Sequence, residues 1–386
     1  MQADFVFNAS KSVILGAGAV ARLGAIVKEQ IGQTVLVVTD RGVAGAGLLS
    51  PVVDSLSEAG VTAHVFQDVA ADPPVEVVLA ATGLARQHAV AGVIGLGGGS
   101  SMDVAKLVAL LVGGGEQLED IYGVGMAKGR RLPLIQIPTT AGTGSEVTPV
   151  SIVTVGAQEK RGVVAPQLLP DVALLDPELT LGLPRHVTAA TGIDAMVHAI
   201  EAFTSKSANN NPISKLFARE ALRLLGTNLQ TVVDDGRNVA ARSDMLFGSM
   251  LAGQAFANSP VAAVHALAYP LGGIYGIAHG VSNAVVLPHV LAFNAPACLD
   301  AYGVLAGDVF PDLLQLETGS RVQSFIDRMA SLIHSVGLPS RLRELDIPED
   351  ALPALAAEAM KQTRLLVNNP RTVSEQDALA IYQAAW

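Results

Sequence analysis

The spacing of the hydrophobic residues changes once along the chain, near Pro184, and this change constrains the fold more than any other feature. Before it, short β-branched runs alternate with segments of helical spacing, an order typical of a mostly parallel, doubly wound sheet. After it, the patterned segments all have helical spacing. We therefore predict an α/β domain over residues 1–183 and an all-helical domain over residues 184–386.

The expected elements follow from the same patterns. In the first part we predict strands at residues 34–39, 61–66, 90–96, 134–137, 151–155 and 172–175. Helices are predicted between them at residues 43–59, 74–87 and 100–112. In the second part we predict helices at residues 185–204, 212–225, 240–256, 261–269, 281–293, 321–336, 349–361 and 374–385. Residues 270–273 (PLGG) are expected to break the helical pattern.

The composition excludes two classes of protein. Half of the 386 residues are hydrophobic and only 16% are charged, whereas a disordered chain needs low hydrophobicity and high charge. The net charge is −10, so the chain lacks the basic field with which nucleic-acid binders meet phosphates. We therefore expect a folded protein that does not bind nucleic acid.

Residues 245–299 raise the question of a membrane, because they contain no Asp, Glu, Lys or Arg. Prolines, histidines and amides interrupt this stretch, whereas a membrane-spanning helix needs about 20 consecutive apolar residues. We predict the buried centre of a helical domain and no membrane partner. The single cysteine, Cys298, excludes an internal disulfide and is typical of a reducing compartment. Residues 1–11 have no long apolar run, so we expect no secretory signal and a cytoplasmic protein.

The strongest phosphate-binding pattern is GLGGGSSMD, residues 95–103. It places Gly98, Gly99 and Ser100 between a predicted strand and a predicted helix, with Asp103 one turn into that helix. Glycines let the backbone approach a pyrophosphate closely, and the start of a helix offers free N–H groups. We therefore predict a nucleotide-binding turn here.

Three further segments carry weaker signals. Asp40 ends a predicted strand, where its carboxylate could accept hydrogen bonds from a ribose or simply begin a loop. Residues 138–146 (PTTAGTGSE) follow another strand and supply several hydroxyl donors to a polar ligand. Residues 16–21 (GAGAVA) resemble a dinucleotide motif, but we find no convincing strand–helix unit around them and predict a β-turn leading into a helix.

A different constellation lies in the second part. Asp194 and His198 are four residues apart on a predicted helix and therefore share a face. His265 and His279 follow, 14 residues apart. One carboxylate and three imidazoles can bind a divalent metal such as Fe²⁺ or Zn²⁺. Spacing alone leaves two interpretations open, a metal site and a set of hydrogen-bonded core histidines.

Taken together, these motifs resemble a known family over nearly the whole chain. The segments GGGSSMDVAK (97–106), PTTAGTGSEVT (138–148), GIDAMVHAIEAF (192–203), and HALAYPLGG with AHGVSNAVVLPHV (265–290) resemble the iron-containing, or group III, alcohol dehydrogenases. The resemblance implies an architecture shared with dehydroquinate synthase-like enzymes, with the active site in the cleft between the two domains. It implies NAD(P)(H) and one divalent metal, usually Fe²⁺ and in some members Zn²⁺.

The resemblance also implies site residues. The implied metal ligands are Asp194, His198, His265 and His279. With the glycine turn included, the expected nucleotide-binding residues are Asp40, Asp72, Gly98, Gly99, Ser100, Asp103, Thr139, Thr140, Thr148, Lys160, Leu179 and Gly182. Asp40 corresponds to the acidic residue that favours NAD over NADP. Asp72 stands where many members have Asn.

Tyr269 departs from the family pattern, because many members have a second His there that relays a proton. Tyr also occurs in some relatives, including hydroxyacid–oxoacid transhydrogenases. We expect Tyr269 to relay a proton or contact the substrate.

The function that the resemblance implies is a metal-dependent, NAD(H)-linked alcohol dehydrogenase or aldehyde reductase for a small molecule, commonly a homodimer. Transhydrogenases and oxo-acid reductases of the maleylacetate type remain alternatives within the family. A dehydroquinate synthase-like lyase is a more remote alternative, because it needs many basic residues that residues 245–299 lack. A non-catalytic binding protein is the third class.

Overall fold

The computed structural model describes residues 4–156 and 159–386. It divides into two compact units: the α/β unit is Asn8–Gly182, and the helical unit contains Leu183–Trp386 together with residues 4–7. Within the helical unit, the backbone of Val6 exchanges hydrogen bonds with the side chain of Asn209, and Phe7 packs edge-on against Phe217 with ring centroids 5.7 Å apart. The sequence prediction assigned these first residues to the α/β domain. Their contacts with the helical unit were not predictable from local patterns, because Asn209 and Phe217 lie about 200 positions along the chain.

The α/β unit contains a six-stranded parallel sheet and a smaller three-stranded sheet. The strands are β1 (Ser12–Leu15), β2 (Thr34–Val38), β3 (Thr62–Phe66), β4 (Gly92–Gly97), β5 (Gly123–Val124), β6 (Leu134–Pro138), β7 (Val150–Val155), β8 (Glu159–Val164) and β9 (Val172–Leu175). The large sheet has the order β1-β9-β6-β4-β2-β3, with every pairing parallel. The small sheet has the order β5-β8-β7, and β7 and β8 are antiparallel.

Helices cover both faces of the large sheet, as the predicted doubly wound fold requires. They are α1 (Leu23–Gln30), α2 (Arg41–Gly45), α3 (Leu49–Glu58), α4 (Val75–Gln87) and α5 (Gly99–Gly114). Alternate residues of β2 face two different cores: Val35 and Val37 pack with α1 and α3, whereas Leu36 and Val38 pack with α4 and α5. Burial on both faces explains why β2 is continuously apolar. The predicted α/β fold class is confirmed.

Several elements of this unit differ from the prediction. The segment predicted as one helix at residues 43–59 forms two helices, because Gly47 adopts a left-handed φ of 79° between α2 and α3. The helix α1 is the one expected after the turn at residues 16–21, but the strand β1 before it was not expected, so a strand–helix unit does surround these residues. β1 has four residues at the edge of the sheet and is mostly exposed, so it lacks the apolar run of a buried strand.

The helical unit is built from nine α-helices in the described chain. They are α6 (Arg185–Thr204), α7 (Pro212–Asp234), α8 (Val239–Asn258), α9 (Ala263–Tyr275), α10 (His279–Val309), α11 (Thr318–Ser335), α12 (Leu352–Ala359), α13 (Thr363–Leu366) and α14 (Glu375–Ala385). The predicted break at residues 270–273 is wrong, because α9 continues through Pro270. The helix ends instead at Gly276, whose left-handed φ of 68° closes the last turn.

Among the described residues, α10 is the one helix long and apolar enough to cross a membrane, by length and composition alone. It bends at Cys298, which has non-helical backbone angles, and it contains Pro288 and Pro296. It packs against α6, α7, α9, α11 and α14. These contacts are typical of a core helix in a globular unit.

Candidate active site

Four potential metal ligands converge inside the helical unit. Asp194 and His198 lie one turn apart on α6, His265 lies in the first turn of α9, and His279 is the first residue of α10. Their ligand atoms all lie within 4.8 Å of one another. Three different helices therefore bring together four side chains that are far apart in the sequence.

The imidazoles are arranged around one carboxylate oxygen. The Nε2 atoms of His198 and His265 each lie 3.9 Å from Asp194 Oδ1, and that of His279 lies 3.6 Å from it. The rings of His198 and His265 stack with their centroids 4.8 Å apart, and the ring of Phe256 also stacks on His198, at 4.4 Å. Two ligand atoms of one ion with bonds of about 2.0–2.2 Å lie at most about 4.4 Å apart, so the three distances to Asp194 Oδ1 suit a shared cation.

Burial within this group is uneven. The side chains of Asp194, His198 and His265 are 3–7% exposed, whereas that of His279 is 44% exposed. Catalytic metal sites differ from structural ones by keeping one position open to a substrate. The exposed side of His279 provides such access.

Charge and hydrogen bonding at Asp194 also suit a cation. Burial by itself raises the pKa of this carboxyl, but the three imidazoles and the Asn283 amide outweigh it and hold the pKa below its usual value. Asn283, one turn after His279, donates from Nδ2 to Asp194 Oδ1 at 2.6 Å. Its Oδ1 is buried and receives no hydrogen bond from the described residues.

The donor set therefore fits a divalent metal. A carboxylate with three imidazoles is a ligand set that Fe²⁺ and Zn²⁺ both accept. A buried carboxylate that no cation balances is costly in an apolar core. The buried, unsatisfied oxygen of Asn283 indicates in addition that the polar centre is incomplete without a further partner.

Sequence reasoning missed Glu201, which lies three residues after His198 on α6. Its Oε2 lies 2.7 Å from His265 Nδ1, and its carboxylate accepts hydrogen bonds from the backbone N–H groups of Ala262 and Val264. The spacing of Asp194, His198 and Glu201 on one helical face was the signal available in the sequence. Asn283 was missed as well, although it follows His279 by four residues.

In the α/β unit, the structure brings together one group of predicted nucleotide-binding residues. Asp40 follows β2, the glycine turn with Gly98, Gly99 and Ser100 follows β4, and Thr139 and Thr140 follow β6. These three strands are neighbours in the sheet, so their carboxyl ends meet at one edge. Ligands of doubly wound folds bind at such an edge.

The contacts of Asp40 and the glycine turn define this edge further. Asp40 Oδ1 accepts from the N–H of Val43 at 2.9 Å, and its Oδ2 accepts from the hydroxyl of Ser101 at 3.1 Å. The strand β4 delivers the turn directly to the first residues of α5, whose N-terminal N–H groups have no side-chain cap. The edge thus combines a carboxylate with free N–H donors, as a ribose linked to a pyrophosphate requires.

Asp103 and Thr148 have partners inside the protein. Asp103 accepts from the Ser145 hydroxyl at 2.6 Å and from the N–H of Ile152 at 2.9 Å. Lys106, which is fully buried, donates from Nζ to Ser145 at 2.7 Å and to the Thr148 hydroxyl at 3.2 Å. These contacts join α5 to the loop after β6 and give both predicted residues a structural role.

Four predicted nucleotide-binding residues remain, and two of them contact each other. Asp72 forms an ion pair with Lys160 at 2.6 Å, and Lys160 also donates to the Thr154 hydroxyl at 3.1 Å. Leu179 is buried in the core beside the sheet, whereas Gly182 is exposed at the end of the unit. Leu179 shares that core with residues of β2, β4 and β6.

The second glycine motif, residues 16–21, binds a side chain of the protein itself. The N–H groups of Gly18 and Val20 donate to the two carboxylate oxygens of Asp176, at 3.1 and 3.0 Å. Gly18 has a left-handed φ of 72°, which a turn of this kind needs. Because Asp176 takes the donors that a phosphate would use, residues 16–21 form a structural turn.

Tyr269 lies one turn after His265 on α9 and is half-buried. Its ring centroid is 5.9 Å from that of His279. The phenol is therefore placed beside the exposed ligand candidate.

Comparison with known proteins identifies the family of the chain. The chain matches the iron-containing alcohol dehydrogenase family over residues 10–177 and the C-terminal part of the Fe-containing alcohol dehydrogenase family over residues 188–386. The chain belongs to the iron-containing alcohol dehydrogenase family. It is a metal-dependent alcohol dehydrogenase, an oxidoreductase that acts on a CH–OH group, and its family implies a divalent metal and NAD(H).

Individual relatives agree with this assignment to the iron-containing alcohol dehydrogenases. Long-chain-alcohol dehydrogenase 1 of Geobacillus thermodenitrificans is 41% identical over 96% of this chain and 94% of that protein. The NAD-dependent methanol dehydrogenase of Bacillus methanolicus is 32% identical over 96% of this chain and 97% of that protein. The crystal structure of a 1,3-propanediol oxidoreductase matches with a TM-score of 0.96 and 33% identity, over 99% of this chain and 100% of that one.

Proposed function

We propose that this enzyme interconverts small unbranched primary alcohols and their aldehydes, with Fe²⁺ as the metal and NAD(H) in preference to NADP(H). The observation that carries the proposal is the convergence of Asp194, His198, His265 and His279 with only His279 exposed. The names of two relatives support primary alcohols, because methanol and 1,3-propanediol carry hydroxyls on terminal carbons. A third relative is named for long-chain alcohols, so chain length is the variable that the test has to measure.

In this proposal the four converging side chains hold the cation, and Asp194 supplies the one negative charge among them. A bound divalent metal acts as a Lewis acid toward a carbinol or carbonyl oxygen. NAD(H) supplies the hydride chemistry. Tyr269, beside His279, donates or accepts a proton at its phenolic oxygen, or contacts the substrate there.

The nucleotide-binding roles proposed for the α/β unit follow the same residues. Asp40 accepts hydrogen bonds from the ribose and repels a 2′-phosphate, which favours NAD. The backbone of Gly98, Gly99 and Ser100 binds the pyrophosphate, with Thr139 and Thr140 as hydroxyl donors. The further contacts that we propose are Asp72, Lys160, Leu179 and Gly182. Asp103 and Thr148 would act by holding the loop after β6 against α5.

The domain boundaries, compartment and assembly are also proposals. We propose that the α/β unit, Asn8–Gly182, is a nucleotide-binding domain and that the helical unit, which begins within one residue of the predicted Pro184, is a metal-binding domain. A cytoplasmic homodimer agrees with the lone buried Cys298 and with the common habit of the family that the sequence resembles.

The test is NADH oxidation by protein purified without oxygen and loaded with Fe²⁺. Short aldehydes of increasing chain length are the substrates, and parallel samples contain Zn²⁺ or NADPH. The proposal predicts metal-dependent NADH loss with several unbranched aldehydes and none in the His265→Ala variant. Equal turnover in metal-free protein, or full activity of His265→Ala, would contradict it.

A second candidate function is a hydroxyacid–oxoacid transhydrogenase, which Tyr269 favours. Such an enzyme recycles its bound nucleotide, so it shows no net NADH loss with aldehydes alone. Turnover only when a hydroxy acid and an oxo acid are present together would support this function. Reduction of an oxo acid with net NADH loss would instead indicate an oxo-acid reductase of the maleylacetate type.

A further inference from the structure

Glu201 has an unusual set of contacts for a buried carboxylate. Its side chain, 5% exposed, extends from α6 to the start of α9. Three N–H donors meet its two oxygens: Oε2 accepts from Ala262 N at 2.9 Å and lies 2.7 Å from His265 Nδ1, and Oε1 accepts from Val264 N at 2.7 Å. Two of the donors are backbone groups at the beginning of α9, where a helix leaves its N–H groups without partners.

We propose that Glu201 is a positioning residue that sets the tautomer and the orientation of His265. The inference rests on the proposed function, in which His265 is a metal ligand. A carboxylate is only an acceptor, so the proton of a neutral His265 ring resides on Nδ1. Nε2 is then unprotonated, and it faces Asp194 Oδ1 at 3.9 Å. This is the tautomer in which Nε2 can bind a cation.

The helix α6 explains how one sequence segment achieves this. Asp194, His198 and Glu201 follow one another at intervals of four and three residues, so they lie along one helical face. The first two supply ligand atoms, and the third holds the ring that α9 contributes. Because Glu201 also accepts from the first N–H groups of α9, the position of that helix and the direction of its imidazole depend on the same carboxylate.

The number of donors explains why a carboxylate occupies this place. Glutamine has one acceptor oxygen and one NH₂ group, so it leaves at least one N–H facing another donor. The better orientation puts the amide oxygen at the Oε2 position, which serves both Ala262 and His265, and turns the NH₂ group toward Val264. Glu201→Gln therefore keeps the His265 tautomer and removes the negative charge. Glu201→Met removes every acceptor.

The experiment uses full-length protein and four chains: wild type, Glu201→Gln, Glu201→Met and the control Ser259→Ala. Ser259 is a matched control, because its buried hydroxyl donates to the Ala202 carbonyl at 2.7 Å and so ties the chain to α6 beside Glu201. Nitrogen-15 NMR of the metal-free protein reports the His265 tautomer. Competition with a chelator gives the affinity for Zn²⁺ and for Fe²⁺, and denaturant unfolding checks that each chain folds.

We expect Glu201→Gln to bind Zn²⁺ and Fe²⁺ about 10–100-fold more weakly with an unchanged tautomer, as for other carboxylates that orient a ligating His. Glu201→Met should bind still more weakly and populate both tautomers. Ser259→Ala should match wild type in both measurements. Wild-type affinity in Glu201→Gln would overturn the inference, and so would a wild-type tautomer with wild-type affinity in Glu201→Met.

The two hypotheses fail in different ways. If wild type itself binds neither metal, the proposed function fails, whereas the NMR spectrum still reports whether Glu201 sets the tautomer. If wild type binds metal and the two Glu201 variants bind it equally well, the function stands and the inference is wrong. If Glu201→Met does not fold, the affinity of Glu201→Gln decides.

Discussion

Asp40 has a structural role and a proposed role in coenzyme selection, and an experiment has to separate the two. It caps α2 through Val43 N and accepts from Ser101, and its charge lies at the sheet edge proposed for the ribose. Serine is also a good helix cap, so Asp40→Ser removes the charge and keeps the cap. We expect the ratio of kcat/KM for NADPH to that for NADH to rise about tenfold or more, because juxtaposed like charges cost several kcal/mol.

Steady-state kinetics with both coenzymes checks this expectation. Asp68→Ser is the control, since Asp68 is exposed and pairs with Arg41 in the same unit. An unchanged coenzyme ratio in Asp40→Ser, or an equal change in the control, would show that Asp40 does not select the coenzyme.

Asp194 is the negative member of the proposed metal centre, and its amide variant isolates that charge. Asp194→Asn has nearly the same shape but only one weak oxygen ligand. We expect metal affinity to fall by more than about 100-fold, since even residues that only orient ligands contribute about 10–100-fold. The measurement is metal content per chain after dialysis against a chelator.

Asp327→Asn is the control for this experiment, because Asp327 is exposed on α11 and accepts a hydrogen bond from Gln323. It should retain as much metal as wild type. Retention of metal by Asp194→Asn would exclude Asp194 as a ligand.

At the scale of elements, the approach of α10 to α6 places His279. A Cβ atom on Gly280 would lie 2.3 Å from the carbonyl oxygen of Ala190 on α6, which is closer than atoms can approach. Gly280→Ala must therefore push the start of α10, and with it His279, away from Asp194. We expect weaker metal binding, with unfolding destabilised by about 1–3 kcal/mol as in other overpacked cores.

Gly273→Ala on α9 is the matched control, since no atom lies within 4 Å of its added Cβ. It should bind metal as wild type does and unfold no more easily, because alanine favours helices. Chelator competition and denaturant unfolding measure both effects. Normal metal affinity in Gly280→Ala would mean that the α6–α10 contact does not set the position of His279.

For the molecule as a whole, the pH dependence of stability has an identifiable source in the α/β unit. Burial raises the pKa of Glu146 to about 7, although the charge of Lys106 acts to lower it, and Glu146 Oε1 has no hydrogen-bond donor among the described residues. Burial likewise raises the pKa of Asp103 and lowers that of Lys106, despite their mutual attraction. The group joins α5 to the loop after β6.

The direction in which stability changes with pH follows from the number of protons bound by the native and unfolded states. Between the ordinary value of 4.5 and about 7, native Glu146 keeps a proton that the unfolded chain has lost. Stability from this group is therefore complete below pH 4.5 and is lost as the pH rises to about 7. Glu146→Gln cannot ionise, so its stability relative to wild type should increase over this range, by up to about 3 kcal/mol, and then level off.

Urea unfolding at several pH values, followed by circular dichroism, measures this difference. Fluorescence is less suitable, because the single tryptophan, Trp386, is in the helical unit. Glu178→Gln, which removes an exposed carboxylate of the same unit, is the control. A flat difference for Glu146→Gln would mean that burial does not raise the pKa of Glu146 in the native protein above its value in the unfolded chain.

Local patterns were sufficient wherever a segment is stabilised by its own sequence. The strands β2 and β4 are buried on both faces and so form apolar runs, and β6 is likewise apolar except for Gln136. The helix α6 carries its helical spacing over its full predicted length, Arg185–Thr204. β1 was missed because its partner β9 is far along the chain. The break expected at Pro270 was wrong because packing of α9 tolerates one lost backbone hydrogen bond.

The sequence by itself determined the α/β and helical classes, the glycine turn before α5 and the pairing of Asp194 with His198, because each depends on spacing within one element. The family resemblance implied that His265 and His279 join them, and the tertiary structure brings all four together. Only the tertiary structure decided that Glu201 and Asn283 contact this group and that Asp176 fills the turn at residues 16–21. These contacts join residues tens to more than a hundred positions apart. Such distances are set by the packing of whole helices and strands, which no local pattern encodes.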